Sequence, residues 1–478
     1  MRKQIHFLII LFCLVPLIGV KADTINQKVN FNVESDYSVS GEIRSSATLK
    51  YVSNKAYFYF DDNWWSNLTD QELVDINKIL SDLGNEFDSN IYTKSTLYYG
   101  SEWNPGVDKD SRITVLFHPM KEDAKGYFRN IDEYEKIVAP ASNQREMVYL
   151  NANNIRSAFL DEFLAHEFAH LIIWNQKDRI YNAEEETWLT EARAEYLITY
   201  LGYNQKDNSY LEQRVKDFLE RPTDSLSQWD NEIYDYGMVN VFANYLGEKY
   251  GQEVLSESIK TSQVGVGSID YALTKLGKSK TFAQIFADFS VAVYINDCTL
   301  TERYCFKNSD LSNLQIIPFN NFLPLSGESS LSVSQTLSAW SAHWQKFSGA
   351  RSDLKIEFDG KKQASLKVFY IIKDFSGNYE LKELTLDSNK KGTIIVTGVG
   401  KDKSSIVIIP ISLSSAPSAF YSITANTYTQ TNPDQTQDTI NPFPFEVNKP
   451  ISQMNREELL SVLLRLIIYL ILQGKLVL

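Results

Sequence analysis

Residues 163–170 read Phe-Leu-Ala-His-Glu-Phe-Ala-His, and no other stretch limits the fold of this chain so tightly. Apolar residues recur at three- and four-residue spacing from 155 to 174, which reads as a helix turned towards a core. A spacing of four puts His166 and His170 on one face, one turn apart, so that both imidazoles reach a single metal ion at about 2.0–2.1 Å. Glu167 lies one position further round, placed to face a metal-bound water without being a ligand, as a general base requires. The bland alternative is a solvated helix that carries the same letters and no site. Against it, the chain has 5 His, of which one falls in the first 22 residues and two of the remaining four fall in this frame. The other two, His118 and His343, lie in strand-like or aromatic surroundings and read as structural.

Two imidazoles alone hold an ion poorly, and a catalytic site needs a third protein ligand with one position left for water. The next helical pattern, 187–201, contains Trp188-Leu189-Thr190-Glu191-Ala192-Arg193-Ala194-Glu195-Tyr196. Glu191 and Glu195 share one face, 21 and 25 residues beyond His170. Glu191 is the expected third ligand of one zinc ion. Glu195 is expected to accept a hydrogen bond from a ligand imidazole and fix its tautomer.

The surrounding pattern implies an α+β chain. Arg2 and Lys3, the apolar run Phe7 to Val20 and the small residue Ala22 read as a secretory signal peptide over 1–22, with an uncleaved anchor as the rival. Removing it takes three positive charges from a chain already at −13, and so acidic a protein is a poor partner for nucleic acid. A first domain over 23–315 begins with strands and turns helical after Ile155. In it, Thr69 with Glu72 reads as a capping box for a helix through Leu73, Ile76, Leu80 and Leu83 that Gly84 stops. Cys298 and Cys305 are expected to form a disulfide stapling one polar loop. Asp108 and Asp110 are a candidate calcium pair, with a solvated turn as the alternative.

From about 325 to 425 the period changes to that of strands, as in Leu354-Ile356-Phe358, which implies an all-β sandwich. Residues 426–450, with four prolines among Thr, Asn, Gln and Asp, read as a linker. Over 451–478, Asn455 caps a largely apolar helix that runs from Arg456 to Gln473. Its apolar stretch is short for a span, which favours self-association, docking or attachment to a membrane surface.

The two helical segments together resemble the gluzincin metallopeptidases, in which HExxH is followed by a helix with a glutamate ligand, often written WLNEGxAE. Thr190 and Ala192 stand here where that pattern has Asn and Gly. The stretches 108–116, Gly126-Tyr127-Phe128, 142–147 and Tyr236-Gly237 look most like secreted bacterial hyicolysin-type peptidases, a resemblance covering about 45–310. It implies a zincin-like catalytic domain with a strand-bearing first lobe and a helical second lobe, in a secreted zinc endopeptidase. It further implies that the strand with Met147 to Leu150 runs along the cleft edge and binds an extended protein or peptide by main-chain hydrogen bonds. Either Tyr234 or Tyr236 would donate to the oxyanion. Two other readings stay open: a surface binding or adhesion protein that retains the peptidase fold, and a zinc hydrolase of another substrate such as a cell-wall peptide amide.

Overall fold

The computed structural model describes residues 22–205, 208–361, 365–415, 419–428 and 454–472. The expected signal peptide, up to residue 21, and the linker beyond Tyr428 lie outside the described residues. The chain is α+β and divides into two compact units at Gln315 and Ile316.

The first unit is built on a six-stranded sheet of β1 (Lys28–Asn32), β2 (Arg44–Val52), β3 (Ala56–Asp61), β4 (Ile113–His118), β5 (Gly126–Phe128) and β6 (Met147–Asn151). Their order across the sheet is β1-β2-β3-β4-β6-β5. β3, β4 and β6 run parallel and are buried at every residue, as strands covered on both faces must be. β5 runs antiparallel to β6 and forms an edge. One face carries Phe31, Tyr59, Leu116, Tyr127 and Tyr149 in a single apolar cluster.

Three α-helices precede the helix that carries the HExxH run: α1 (Asp62–Ser66), α2 (Asp70–Glu86) and α3 (Tyr92–Tyr99). The capping box of Thr69 and Glu72 is present, and Ile76, Leu80 and Leu83 face inwards. Gly84, however, does not stop α2, which passes through a π-helical turn, Phe87–Ile91, into α3. Glycine is needed there for another reason: a Cβ on it would lie 2.5 Å from Cε1 of Tyr51.

The helical region follows as α4 (Leu160–Ile173), α5 (Thr187–Leu201), α6 (Tyr210–Glu220), α7 (Ile233–Tyr250), α8 (Glu253–Glu257), α9 (Gly265–Lys275) and α10 (Phe282–Ile295). α4 packs against β5 and β6 and against α5. α9 escapes a sequence reading because Gly265 and Gly267 look like loop residues; in fact Gly265 opens the helix at φ +54°, with its N–H donated to Glu185 Oε1 at 2.6 Å. Cys298 and Cys305 are joined in a disulfide beyond α10.

The second unit has two antiparallel-rich sheets sharing one core. β8 (Ser330–Leu337), β10 (Asp353–Gly360), β13 (Lys391–Val396) and β15 (Ala419–Tyr428) form the first. β7 (Phe319–Leu323), β9 (Gln345–Gly349), β11 (Leu366–Asp374), β12 (Tyr379–Glu383) and β14 (Lys403–Ser412) form the second. Ile356, Phe358 and Ile423 from one sheet meet Phe347, Val368 and Ile406 from the other. β7, parallel to β9, starts the sandwich before residue 325, and β15 takes up the first three residues of the expected linker. The terminal helix α11 (Arg456–Leu472) exposes Leu459, Leu460, Leu463 and Leu464. No helix among the described residues is long and apolar enough to cross a membrane.

His118 and His343, the two histidines outside the HExxH run among the described residues, are buried beside tyrosines. His118 Nε2 lies 3.0 Å from the Tyr127 hydroxyl, and His343 Nδ1 lies 3.0 Å from that of Tyr421. Burial lowers both from 6.5 to about 4. The unfolded chain therefore binds protons first as acid is added. The stability each ring contributes is whole above pH 6.5 and is lost as the pH falls towards 4, by up to about 3 kcal/mol per ring. Denaturant titrations across that window should show a shallower acid loss for His118→Gln than for the natural chain.

Candidate metal centre

α4 forms because its apolar residues fill one continuous face: Leu160, Phe163, Leu164, Phe168, Leu171 and Ile172 are all buried. Asp161 and Glu162 sit in its first turn, where the helix dipole favours negative charge. With that face fixed on the sheet, His166 and His170 turn together towards α5. Their Nε2 atoms are 3.1 Å apart and their rings are edge to face. α5 is anchored by buried Trp188, Leu189 and Ala192, and by Arg193, which is fully buried and paired with Glu185 at 2.8 Å. This sets Glu191 opposite the imidazoles, with Oε2 3.1 Å from His166 Nε2 and Oε1 3.5 Å from His170 Nε2.

These donor atoms lie within 4.8 Å of one another, the one such grouping of three among the described residues. Tetrahedral bonds of 2.0–2.1 Å place donors about 3.3 Å apart, close to the separations found here. Two ring nitrogens facing each other and a carboxylate at this range make a sound ion pocket and a poor hydrogen-bond network. Burial opposes ionisation of Glu191, but His170 and His166 outweigh it and hold its carboxyl well below the usual range.

Glu167 is 7% exposed, and burial pushes its carboxyl up to about 8, with His170 opposing the rise and Glu191 adding to it. Gly126 on β5 lies directly against it: a Cβ there would fall 2.8 Å from Cγ and Oε1 of Glu167 and 2.7 Å from the Tyr149 carbonyl oxygen.

Glu195 is fully buried and faces His166 Nδ1 at 3.5 Å, long for a hydrogen bond. Its own carboxylate is saturated. Arg214 donates to both oxygens at 2.9 and 3.0 Å, Tyr210 donates at 2.9 Å and Asn240 at 2.8 Å. Arg214, Tyr210 and Asn240 go unnoticed in the sequence. The signal for the first two is a tyrosine and an arginine four apart on α6, a shared helix face.

The two tyrosines separate. Tyr234 carries the Arg221 guanidinium over its ring at 4.0 Å. Tyr236 is close enough to the centre that, after burial, the charges of Glu191, Glu167 and Glu195 raise its phenol, with Arg214 over its ring opposing them. Tyr37, absent from the sequence reading, is raised by burial and by the same Glu167 and Glu191, and stacks on Tyr127 of the edge strand at 4.7 Å.

One expectation fails. β6, with Met147 to Leu150, is paired on both sides and has no free edge to offer; β5 is the edge strand. Phe128 at its end and Asn130 beyond it line a cavity of about 260 Å³ with His170, Trp174, Asp178 and Thr190. Asp110, of the candidate calcium pair, accepts from the Tyr57 hydroxyl at 2.7 Å and faces Arg112 at 3.7 Å, and its N–H donates to Asp108 Oδ1 at 2.8 Å.

No family model matches the chain, and no curated protein matches it. Among solved structures, the pre-peptidase C-terminal domain of collagenase from Bacillus anthracis is 10% identical over 23% of this chain and 96% of its own, with a TM-score of 0.17. The periplasmic g-type lysozyme inhibitor of Salmonella Typhimurium is 13% identical over 23% of this chain and 100% of its own, at 0.17. A family GH115 4-O-methyl-alpha-glucuronidase with specificity for decorated arabinogalactans is 8% identical over 67% of this chain and 52% of its own, at 0.15. Likeness at that level says nothing about the histidine centre.

Glu195→Gln keeps the shape of the group behind His166 and removes its charge. Zinc affinity, measured by competition with a chelating dye, should fall about 10- to 100-fold; an unchanged affinity would remove Glu195 from any role at the centre.

Proposed function

We propose that the chain is an exported zinc-dependent endopeptidase of the gluzincin kind, with a zincin-like arrangement of sheet and helices in its first unit. The observation that carries this reading is the convergence of His166, His170 and Glu191 beside the Glu167 carboxyl and an edge strand. Zinc held by these three supplies a Lewis acid for the scissile carbonyl and lowers the pKa of water.

The remaining chemistry belongs to the chain. Glu167, which burial makes a better base than a solvated carboxylate, takes a proton from the attacking water and returns it to the leaving amine. The phenol of Tyr236, kept protonated by burial and by the carboxylates around it, donates to the carbonyl oxygen as negative charge grows there. An extended protein or peptide substrate adds to the free edge of β5, next to Gly126 and the His170 cavity. The acidic balance of the chain agrees with a partner other than nucleic acid.

The purified protein should contain one zinc and cleave unfolded casein until a chelator removes the metal. Glu167→Gln should retain zinc and lose about 10²- to 10⁴-fold in turnover. Zinc retention with no hydrolysis by the natural chain would favour the binding-protein reading instead. Gly126→Ala should also keep zinc, yet by displacing the Glu167 carboxyl it should lower kcat about 10²-fold; full activity in that variant would contradict the assigned contact.

A further inference from the structure

The cavity of about 260 Å³ beside the histidine centre is built from parts of unlike character. Phe128, at the end of β5, and His170 tie it to the edge strand and to the centre, Ile173 and Trp174 give it an apolar wall, and Asp178 and Glu184 bring carboxylates to it. α4 runs out into a π-helical turn, Trp174–Arg179, and the wider turn lets Trp174 and Asp178 line the same space. Such turns recur at functional sites.

The two carboxylates differ from their neighbours in having no counter-charge. Glu185 also lines the cavity, but its side chain is only 2% exposed and is paired with Arg193 at 2.8 Å and Lys177 at 3.3 Å. Lys177 Nζ donates further to the carbonyls of Ser258 and Gln263. Glu186 accepts the Trp188 indole N–H at 2.5 Å, and the guanidinium of Arg179 lies over the Trp103 ring at 4.1 Å. Among the described residues no arginine or lysine forms an ion pair with Asp178, which is half-buried, or with Glu184, which is exposed. Burial, reinforced by the charges of Glu184 and Glu185, pushes the Asp178 carboxyl up to about 6, so it is ionised at neutral pH and gains from an incoming cation. A metal ion is a poor candidate, because the histidine trio is the one group of three ligands among the described residues close enough to share one.

We propose that this cavity receives a lysine or arginine side chain of the substrate, so that the chain cleaves polypeptides beside a basic residue, an inference that rests on the peptidase reading above. The methylene stem lies along Ile173 and Trp174, whose indole face also attracts a cation, and the charged head meets Asp178 with Glu184 beside it. A strand added to β5 turns alternate side chains to one face, and the shared wall of Phe128 and His170 puts the receiving space next to the scissile carbonyl. The surplus of negative charge on the whole chain draws cationic segments in the same sense.

The test uses the zinc-loaded full chain and quenched peptides that differ only in carrying arginine or its uncharged near-isostere citrulline at each residue flanking the scissile bond. At one of these positions kcat/KM should favour arginine about tenfold or more, and added salt should shrink the preference. Asp178→Asn should bring the ratio close to one, whereas a merely structural role would lower both peptides together. Asp178→Lys should turn the preference towards glutamate at that position. If the Asp178 variants fail to fold, Glu184→Gln should still reduce the ratio. Apart from turnover, zinc-loaded Glu167→Gln should bind the arginine peptide more tightly than the citrulline peptide in fluorescence anisotropy. Equal cleavage of all the peptides, or an undiminished arginine preference in Asp178→Asn and Glu184→Gln, overturns the assignment and leaves the peptidase reading standing. No cleavage of any peptide or of casein overturns both.

Discussion

Two imidazole nitrogens and a carboxylate held at hydrogen-bond separation inside a folded interior are the constraint to which the first unit is fitted. Both rings are largely withdrawn from water, and neither can donate to the other without forcing its tautomer. The packing of α4 against β5 and β6 fixes where the rings point, and α5 must then cross close enough for Glu191 to meet both. The helices are not interchangeable parts of a bundle. Each has one polar edge committed to a single point.

Bringing α5 to that point buries more charge than Glu191. Glu195 follows one turn later, fully buried, and an unpaired carboxylate there would cost several kcal/mol. The bidentate contact from Arg214, with Tyr210 and Asn240, satisfies it and so draws α6 and α7 onto the back of the centre. Arg193, on the same helix and also buried, is met by Glu185 and by Ser258 Oγ at 2.8 Å. Both networks are saturated with donors and acceptors, which makes them rigid supports. The buried Glu133 carboxyl differs, because neither of its oxygens meets a donor.

What could be read in the sequence follows from short-range rules. The spacing of His166 and His170, the shared face of Glu191 and Glu195, and the capping box at Thr69 each depend on helix geometry within one or two turns, and the structure has these features. Gly84 and Gly265 misled because glycine answers several needs: one makes room for the Tyr51 ring and the other opens a helix. Tyr234 and Tyr236 could not be told apart because residues two apart on a helix point to roughly opposite sides, and only the placement of α7 decides which side meets Glu191. β5 has three residues, too few for any period, so the longer pattern at Met147 drew the expectation of an edge that pairing on both sides denies.

The shortness of β5 has its own consequence. At roughly 3.3 Å per residue the open border spans about 10 Å, enough for two or three main-chain hydrogen bonds to a visiting strand. Affinity gathered from backbone alone is then small, and discrimination among polypeptides falls to whatever side chains reach into the hollow beyond Phe128. An edge that short would grip weakly and let go quickly, which is what the proposed peptidase activity would require of it.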